Sequence, residues 1–224
     1  SQRVIELAEQ LEDHGSLFAA LDGTVFVHMV RGECLEAARI SDRMLMVARQ
    51  SGSDVQEMNA CMWAMIARHH LGELVIAQRH ADACIRLGTP ANQTARLTTI
   101  FDPVVATLVE SSRNLWMMGN TRECVDRTRR AIELAREIRH PDSLSFALAF
   151  HGWMHGYRED WETCLRSTGE AIALASEHGL AQTIAWNRCV HGWALAHTGK
   201  AADGLVELQS AIEDSLQIFG QVGM

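Results

Sequence analysis

Apolar and small residues return along this chain at a helical spacing, and a turn interrupts them every 40 to 47 residues. The turn positions are occupied by Gly32, Gly72, Gly119, Glu159 and Gly199. Five positions later stand Ala37, Ala77, Cys124, Cys164 and Gly204, and twelve positions after the turn stand Met44, Cys84, Ala131, Ala171 and Ala211. Because two antiparallel helices approach closely only where small residues allow it, this register predicts a stack of helical pairs.

The register divides the chain into five helical pairs preceded by one unpaired helix. We expect the pairs at about residues 15–52, 53–88, 102–139, 141–179 and 180–219. One period before Met44, the segment "VIELA" matches the second helix of a unit, so residues 2–13 should form an unpaired helix and the chain should be a fragment of a larger protein. The irregular insertion at 88–103 either contacts a ligand or only connects two units. Asp102-Pro103 is typical of a helix N-terminus.

The triplet His-Gly-Trp occurs at 151–153 and again at 191–193, at the same position of two units. Other units have Thr24, Ala64 and Ser111 at the histidine position. Because this position accepts such different residues, we interpret the triplet as structural rather than catalytic. His151 and His155 have the i, i+4 spacing of helical metal ligands, but the sequence lacks the glutamate of H-E-x-x-H and a third ligand, so we predict no metal site.

The composition and the absence of certain motifs narrow the range of possible functions. The 224 residues carry a net charge of −8, which disfavours contact with nucleic acid or anionic lipid. No apolar run is long enough to cross a membrane, and the N-terminus does not resemble a signal peptide. None of the six cysteines forms a C-x-x-C pair, so they indicate a reducing cytoplasm. We find neither a P-loop nor G-x-G-x-x-G, and we predict no catalytic residues and no cofactor.

The register resembles that of the tetratricopeptide (TPR) superfamily. More narrowly, the chain resembles the TPR-like C-terminal region of bacterial signalling proteins that join a STAND-type ATPase to an adenylate cyclase, a winged-helix domain or a kinase. The segments that carry this resemblance, within about residues 30–215, are "FDP" at 101–103, "LWMMG" at 115–119, "HPDSLSFAL" at 140–148, "EHGL" at 177–180 and "HGWALAHTG" at 191–199. The resemblance implies an all-α fold, a right-handed superhelix forming a single domain over residues 1–224.

The resemblance also implies that the first helix of each pair lines a concave groove. The corresponding rows are Phe26, Ile66, Arg113, Trp153 and Trp193; Met29, His69, Trp116, Gly156 and Ala196; and Ala19, Asn59, Ala106, Phe146 and Trp186, with Met62 on the same side. Four indole rings fully exposed to water would be unfavourable. Either they pack between the first helices, or they bind an apolar peptide, a helix or a second protomer.

We therefore expect a non-catalytic module of a multidomain cytoplasmic regulator, which is an ATPase, an adenylate cyclase or a transcription regulator. Its partner would be a protein or peptide in the groove, or a second copy of the chain, with no contact to nucleic acid or membrane. The alternative is a stand-alone TPR-type peptide-binding adaptor or dimerisation scaffold. A histidine-based metalloenzyme is a third hypothesis.

Overall fold

Helices make up nearly all of the described chain. The computed structural model describes residues 2–11, 13–96 and 101–220, and none of these residues forms a β-strand. The chain divides into two compact units, residues 1–98 and 99–224. Unit 1 contains α1 (Gln2–Gln10), α2 (His14–Val30), α3 (Cys34–Ser51), α4 (Asp54–His70), α5 (Leu74–Leu87) and the short α6 (Gln93–Arg96). Unit 2 contains α7 (Pro103–Met117), α8 (Thr121–Glu137), α9 (Pro141–Tyr157), α10 (Trp161–Glu177), α11 (Ala181–His197) and α12 (Ala201–Gly220).

Short turns join the helices of each unit into antiparallel pairs. In unit 1, α2 packs on α3 and α4 packs on α5, while α1 lies against α2. In unit 2 the pairs are α7 with α8, α9 with α10 and α11 with α12, and α9 also contacts the neighbouring first helices α7 and α11. The prediction of an all-α, TPR-like fold is confirmed. None of the described helices is both long and apolar enough to span a membrane.

The insertion expected at 88–103 has some helical structure. A single 3-10 turn at Pro90–Asn92 continues directly into α6. The part of the insertion at 97–100 lies outside the described residues. Beyond it, the carboxylate of Asp102 accepts hydrogen bonds from the backbone N–H groups of Val104 and Val105, so the predicted N-terminus of α7 is confirmed. The single domain over 1–224 stays a prediction.

The predicted turn residues share one backbone conformation. Their φ angles are 73° for Gly32, 78° for Gly72, 81° for Gly119, 61° for Glu159 and 86° for Gly199. This left-handed region is favourable for glycine, whereas a Cβ makes it costly. Glu159 adopts it nevertheless, because the backbone N–H of Asp160 must reach the carbonyl oxygen of His155, 3.0 Å away, to close the end of α9. The repeat therefore imposes its turn even where glycine is missing.

The small residues of the register lie where the two helices of a pair cross. Ala37, Cys124, Cys164 and Ala171 are completely buried, as predicted. The glycine of the first His-Gly-Trp triplet lies at such a crossing: a Cβ on Gly152 would lie 2.8 Å from Cγ2 of Thr168. In the second triplet, a Cβ on Gly192 would lie 2.9 Å from the carbonyl oxygen of Gly204. Each triplet is therefore a packing feature.

The histidines of the triplets hold neighbouring helices together. Nδ1 of His151 lies 2.9 Å from the hydroxyl of Thr128 on α8, and Nδ1 of His191 lies 2.9 Å from the carboxylate of Glu207 on α12. The rings of His151 and His155 are 4.5 Å apart. Among the residues that the structure describes, no group of three or more His, Cys, Asp or Glu side chains could hold a metal ion.

Candidate binding groove

A groove opens along the first helices of unit 2. It encloses about 470 Å³ and lies between α7, α9 and α11. Its walls are mainly aromatic and aliphatic, and its lining residues are Glu110, Arg113, Phe146, Ala149, Phe150, Trp153, Trp186, Cys189, Val190 and Trp193. A volume of this size is typical of a site for a small molecule or for a few side chains of a peptide.

Contacts between rings hold the aromatic walls in place. Phe146 lies at the centre, with its ring centroid 4.8 Å from that of Phe150 and 6.0 Å from that of Trp186. The rings of Phe150 and Trp153 are 5.3 Å apart. Phe146 and Phe150 are buried, whereas Trp153 and Trp186 are only partly covered. The phenylalanines thus support indole rings whose remaining surface faces the groove.

A glycine on α9 makes room for the last indole ring of the groove. Gly156 lies directly beneath the ring of Trp193, and a Cβ at this position would collide with that ring. The ring of Trp193 also meets Trp161 edge-on at 5.1 Å and Tyr157 at 6.0 Å. The second row of the predicted concave face becomes small at Gly156 because a larger residue in the first row occupies the space.

One ion pair supplies the charged groups of the groove. Nη1 of Arg113 donates to the carboxylate of Glu110 at 2.9 Å, and both side chains are largely buried. The guanidinium carbon of Arg113 also lies 5.6 Å from the centre of the Trp153 ring, in a cation–π arrangement. Burial raises the pKa of Glu110, and the neighbouring Arg113 opposes that rise. The pair therefore places a hydrogen-bond donor and an acceptor beside an apolar wall.

The thiol in the groove is poorly suited to nucleophilic chemistry. Burial raises the pKa of Cys189 above its usual value. Because the thiolate is the reactive form of cysteine, a raised pKa leaves the side chain as a weak nucleophile near neutral pH. The groove as a whole presents apolar rings and one ion pair, which is chemistry for binding.

The structure gathers five of the predicted residues at this groove. Phe146, Trp153, Trp186, Trp193 and Arg113 all line it. Trp116 instead stacks on Tyr157, with ring centroids 5.5 Å apart. The rings pack between the first helices and still keep exposed surface. Binding of a partner by these rings stays a prediction.

The predicted residues of unit 1 form a smaller, more polar cluster. The amide of Asn59 donates to the carboxylate of Asp22 at 2.8 Å, and the indole N–H of Trp63 donates to the same oxygen at 2.7 Å. Phe26 meets Trp63 edge-on, with centroids 6.2 Å apart. Burial raises the pKa of Asp22. In unit 1, the polar side chains of this face thus bond to one another.

The remaining predicted residues of unit 1 do not join that cluster. Met29 and Met62 are partly covered. His69 is buried and meets the ring of His70 edge-on at 5.2 Å. These three side chains lie on the predicted first helices α2 and α4, outside the hydrogen bonds that Asp22 accepts.

Sequence reasoning missed several residues of the groove and its surroundings. Phe150 follows Phe146 by four positions and Tyr157 follows Trp153 by four, a spacing that places each pair on one helical face. This spacing could have identified both rings. Glu110 and Arg113 are three positions apart on α7 and could have been recognised as an ion pair in the same way.

Together, the paired helices and their register define a helical-repeat protein of the TPR-like class. No family model and no curated protein matches the sequence. BtubC (BKLC) from P. vanneervenii has a similar structure, with a TM-score of 0.71 at 12% identity over 98% of this chain and 89% of that chain. A putative kinesin light chain with nearly identical TPR-like repeats from Podosopora anserina gives a TM-score of 0.58 at 10% identity, over 89% of this chain and 95% of that chain. The apo form of RapI gives 0.62 at 8% identity, over 93% and 58%. At these identities the likeness concerns the fold.

Proposed function

We propose that the chain is a non-catalytic interaction module and that the groove of unit 2 binds an apolar segment of a partner protein. The observation that carries this proposal is the row of partly exposed indole rings around a preformed cavity, with one ion pair beside it. Side chains of the bound segment would cover the indoles. The Glu110–Arg113 pair would meet the N–H and C=O groups of the segment's backbone.

The free energy gained on such binding can be estimated from the exposed area of the indole rings. Covering the exposed parts of Trp153, Trp186 and Trp193 would remove roughly 100–200 Å² of apolar surface from water. At about 25 cal/mol/Å², this is worth about 3–5 kcal/mol before the entropy of association is subtracted. The indoles alone would therefore support weak binding, and further contacts along the segment would be needed for a tight complex.

A selection experiment tests the proposal directly. Random peptides of about 12 residues, displayed on phage, are selected on the full chain; we expect enrichment of sequences with apolar and aromatic residues. Val190 lines the groove without supporting the ring contacts, so Val190→Arg places a charge in the site. We expect this variant to weaken the selected peptides by at least about tenfold. Val75→Arg, at an exposed valine of α5, is the matched control and should bind normally. Equal binding to both variants would contradict the proposal.

We further infer that this module belongs to a multidomain cytoplasmic regulator, in which binding at the groove changes the output of an ATPase, a cyclase or a DNA-binding domain. The support is the resemblance of the segments from "FDP" at 101–103 to "HGWALAHTG" at 191–199 to such proteins. A P-loop or a winged helix in the same reading frame would support this role. An open reading frame confined to these residues would favour the stand-alone adaptor.

A further inference from the structure

The last helix of unit 2 carries an exposed apolar face. On α12, the exposed fractions are 56% for Leu205, 67% for Val206, 50% for Ile212 and 68% for Leu216. Leu205, Ile212 and Leu216 are spaced by seven and four positions, so they share one side of the helix, and Val206 borders it. A neighbouring side of α12, which includes the buried Gly204 and Ala211, packs on α11. We call these four residues the α12 face.

Another helix of the same unit shows what covers part of this face. At the register positions of Leu205 and Ile212, α8 has Val125 and Ile132, whose exposed fractions are only 5% and 7%. The following helix α9 packs on α8, and we infer that it covers these two side chains. A helix is therefore the element that fits this side of a second helix in this fold.

The α12 face is also wider than a following repeat requires. At the register position of Val206, the four preceding helical pairs have Arg39, Arg79, Asp126 and Arg166. At the register position of Leu216, they have Arg49, Thr89, Arg136 and Ser176. All eight of these residues are charged or polar, and all except the half-buried Asp126 are exposed. A further repeat of the same kind would leave both positions in water. Apolar residues there indicate a partner that reaches beyond the area covered by a repeat.

Charge identifies the kind of helix that fits. Residues 201–220 include the acids Asp203, Glu207, Glu213 and Asp214 and no Lys or Arg. Glu207 and Asp214 already lie beside Arg188 of α11. Asp203 and Glu213 are exposed on the side where Val206 borders the apolar row, so these two carboxylates face a partner. A second copy of α12 would bring these carboxylates against like charges, whereas Lys and Arg would complement them. We propose that the α12 face docks an amphipathic helix of another protein, whose apolar side is flanked by Lys and Arg.

Two synthetic helices of about 20 residues probe this surface. Both have the same leucine face, flanked by lysine in one peptide and by glutamate in the other. Binding to the full chain is measured by fluorescence anisotropy. The lysine peptide should bind at least about tenfold more tightly than the glutamate peptide. Similar affinities for the two peptides would overturn the proposal, because charge would then play no part in the recognition.

A double variant separates apolar docking from simple charge attraction. Val206→Asp with Leu216→Ser introduces the residues that α8 and α10 have at these positions, so circular dichroism should show an unchanged fold. The added carboxylate would strengthen a purely electrostatic complex, whereas the proposal requires binding of the lysine peptide to weaken at least about tenfold. Val75→Asp, on α5, is the matched control and should bind normally.

Three results would contradict docking at the α12 face: undiminished binding by the double variant, equal weakening by Val75→Asp, or a dimer of the wild-type chain that the double variant abolishes. The last result, measured by sedimentation, would assign the face to a second copy of the chain. The peptides selected at the groove of unit 2 should bind the double variant normally, so this test does not depend on the proposed function.

Discussion

Substitution of Gly152 by alanine tests whether the His-Gly-Trp triplet is a packing feature. The new Cβ would lie 2.8 Å from Cγ2 of Thr168 and 3.2 Å from the backbone carbonyl oxygen of Cys164. Neither atom can move easily, because the hydroxyl of Thr168 donates to that same oxygen at 2.8 Å. Overpacking of this kind costs about 1–3 kcal/mol. The intrinsic preference of a helix for alanine, about 1 kcal/mol, offsets only part of that cost.

Gly169 on α10 is the matched control for Gly152. It also lies within a helix, but a Cβ there would have no atom of another helix and, apart from its two chain neighbours, no side chain within 4 Å. Gly169→Ala should therefore stabilise the protein by about 0.5–1 kcal/mol, since only the helix preference acts. Urea unfolding followed by circular dichroism should separate the two variants by about 1–3 kcal/mol. Equal stability of Gly152→Ala and Gly169→Ala would refute the close approach of α9 and α10.

Two further predictions concern the turn and the partly buried His151 of unit 2. Glu159→Gly should raise the free energy of unfolding by about 1 kcal/mol, because glycine adopts the left-handed conformation without strain. The control Glu162→Gly, on the exposed side of α10, should lower the free energy of unfolding by a similar amount. Thermal unfolding of the two variants measures the difference. Burial, aided by His155, lowers the pKa of His151 to about 4. The folded state then binds this proton more weakly than the unfolded state, so stability should fall by up to about 3 kcal/mol as the pH drops from 6.5 towards 4. When unfolding is measured at several pH values, His151→Ser should lack this pH-dependent loss of stability and His178→Ser should retain it. An unchanged pH dependence in His151→Ser would be evidence against a desolvated imidazole at this position.

The repeat could be predicted because the packing of a helical pair restricts particular positions. Ala37 and Ala171 lie where two backbones approach, and only small residues fit there. Gly32 and Gly199 adopt a conformation that disfavours side chains. The helical turn at 90–96 was not predicted, since it has neither periodic apolar residues nor a place in the register. Glu159 was recognised only because its neighbours in the register are glycines.

The groove could be predicted as a set of residues but not as a cavity. The rows on the first helices identify Trp153, Trp186 and Trp193, because a residue's position in the repeat determines which side of the helix it occupies. The volume between the rings depends on how α7, α9 and α11 are inclined to one another, and a one-dimensional pattern does not contain those angles. For the same reason, the sequence predicts one continuous groove along all the first helices and does not distinguish the face of unit 1, where Asn59 donates a hydrogen bond to Asp22, from that of unit 2.

Both proposed surfaces lie at register positions where some helical pairs have different residues from the other pairs. The row that contains Trp153 and Trp193 has Phe26 and Ile66 in unit 1, and the helical pairs form in either case. At the register position of Val206, all four preceding helical pairs have a charged residue, and these pairs also form. Since the crossing of the helices is fixed by small residues elsewhere, changes in these rows cost the fold little. Positions that vary without altering the helical pair are free to specify a partner, and in this chain they have become aromatic along the groove and aliphatic along α12.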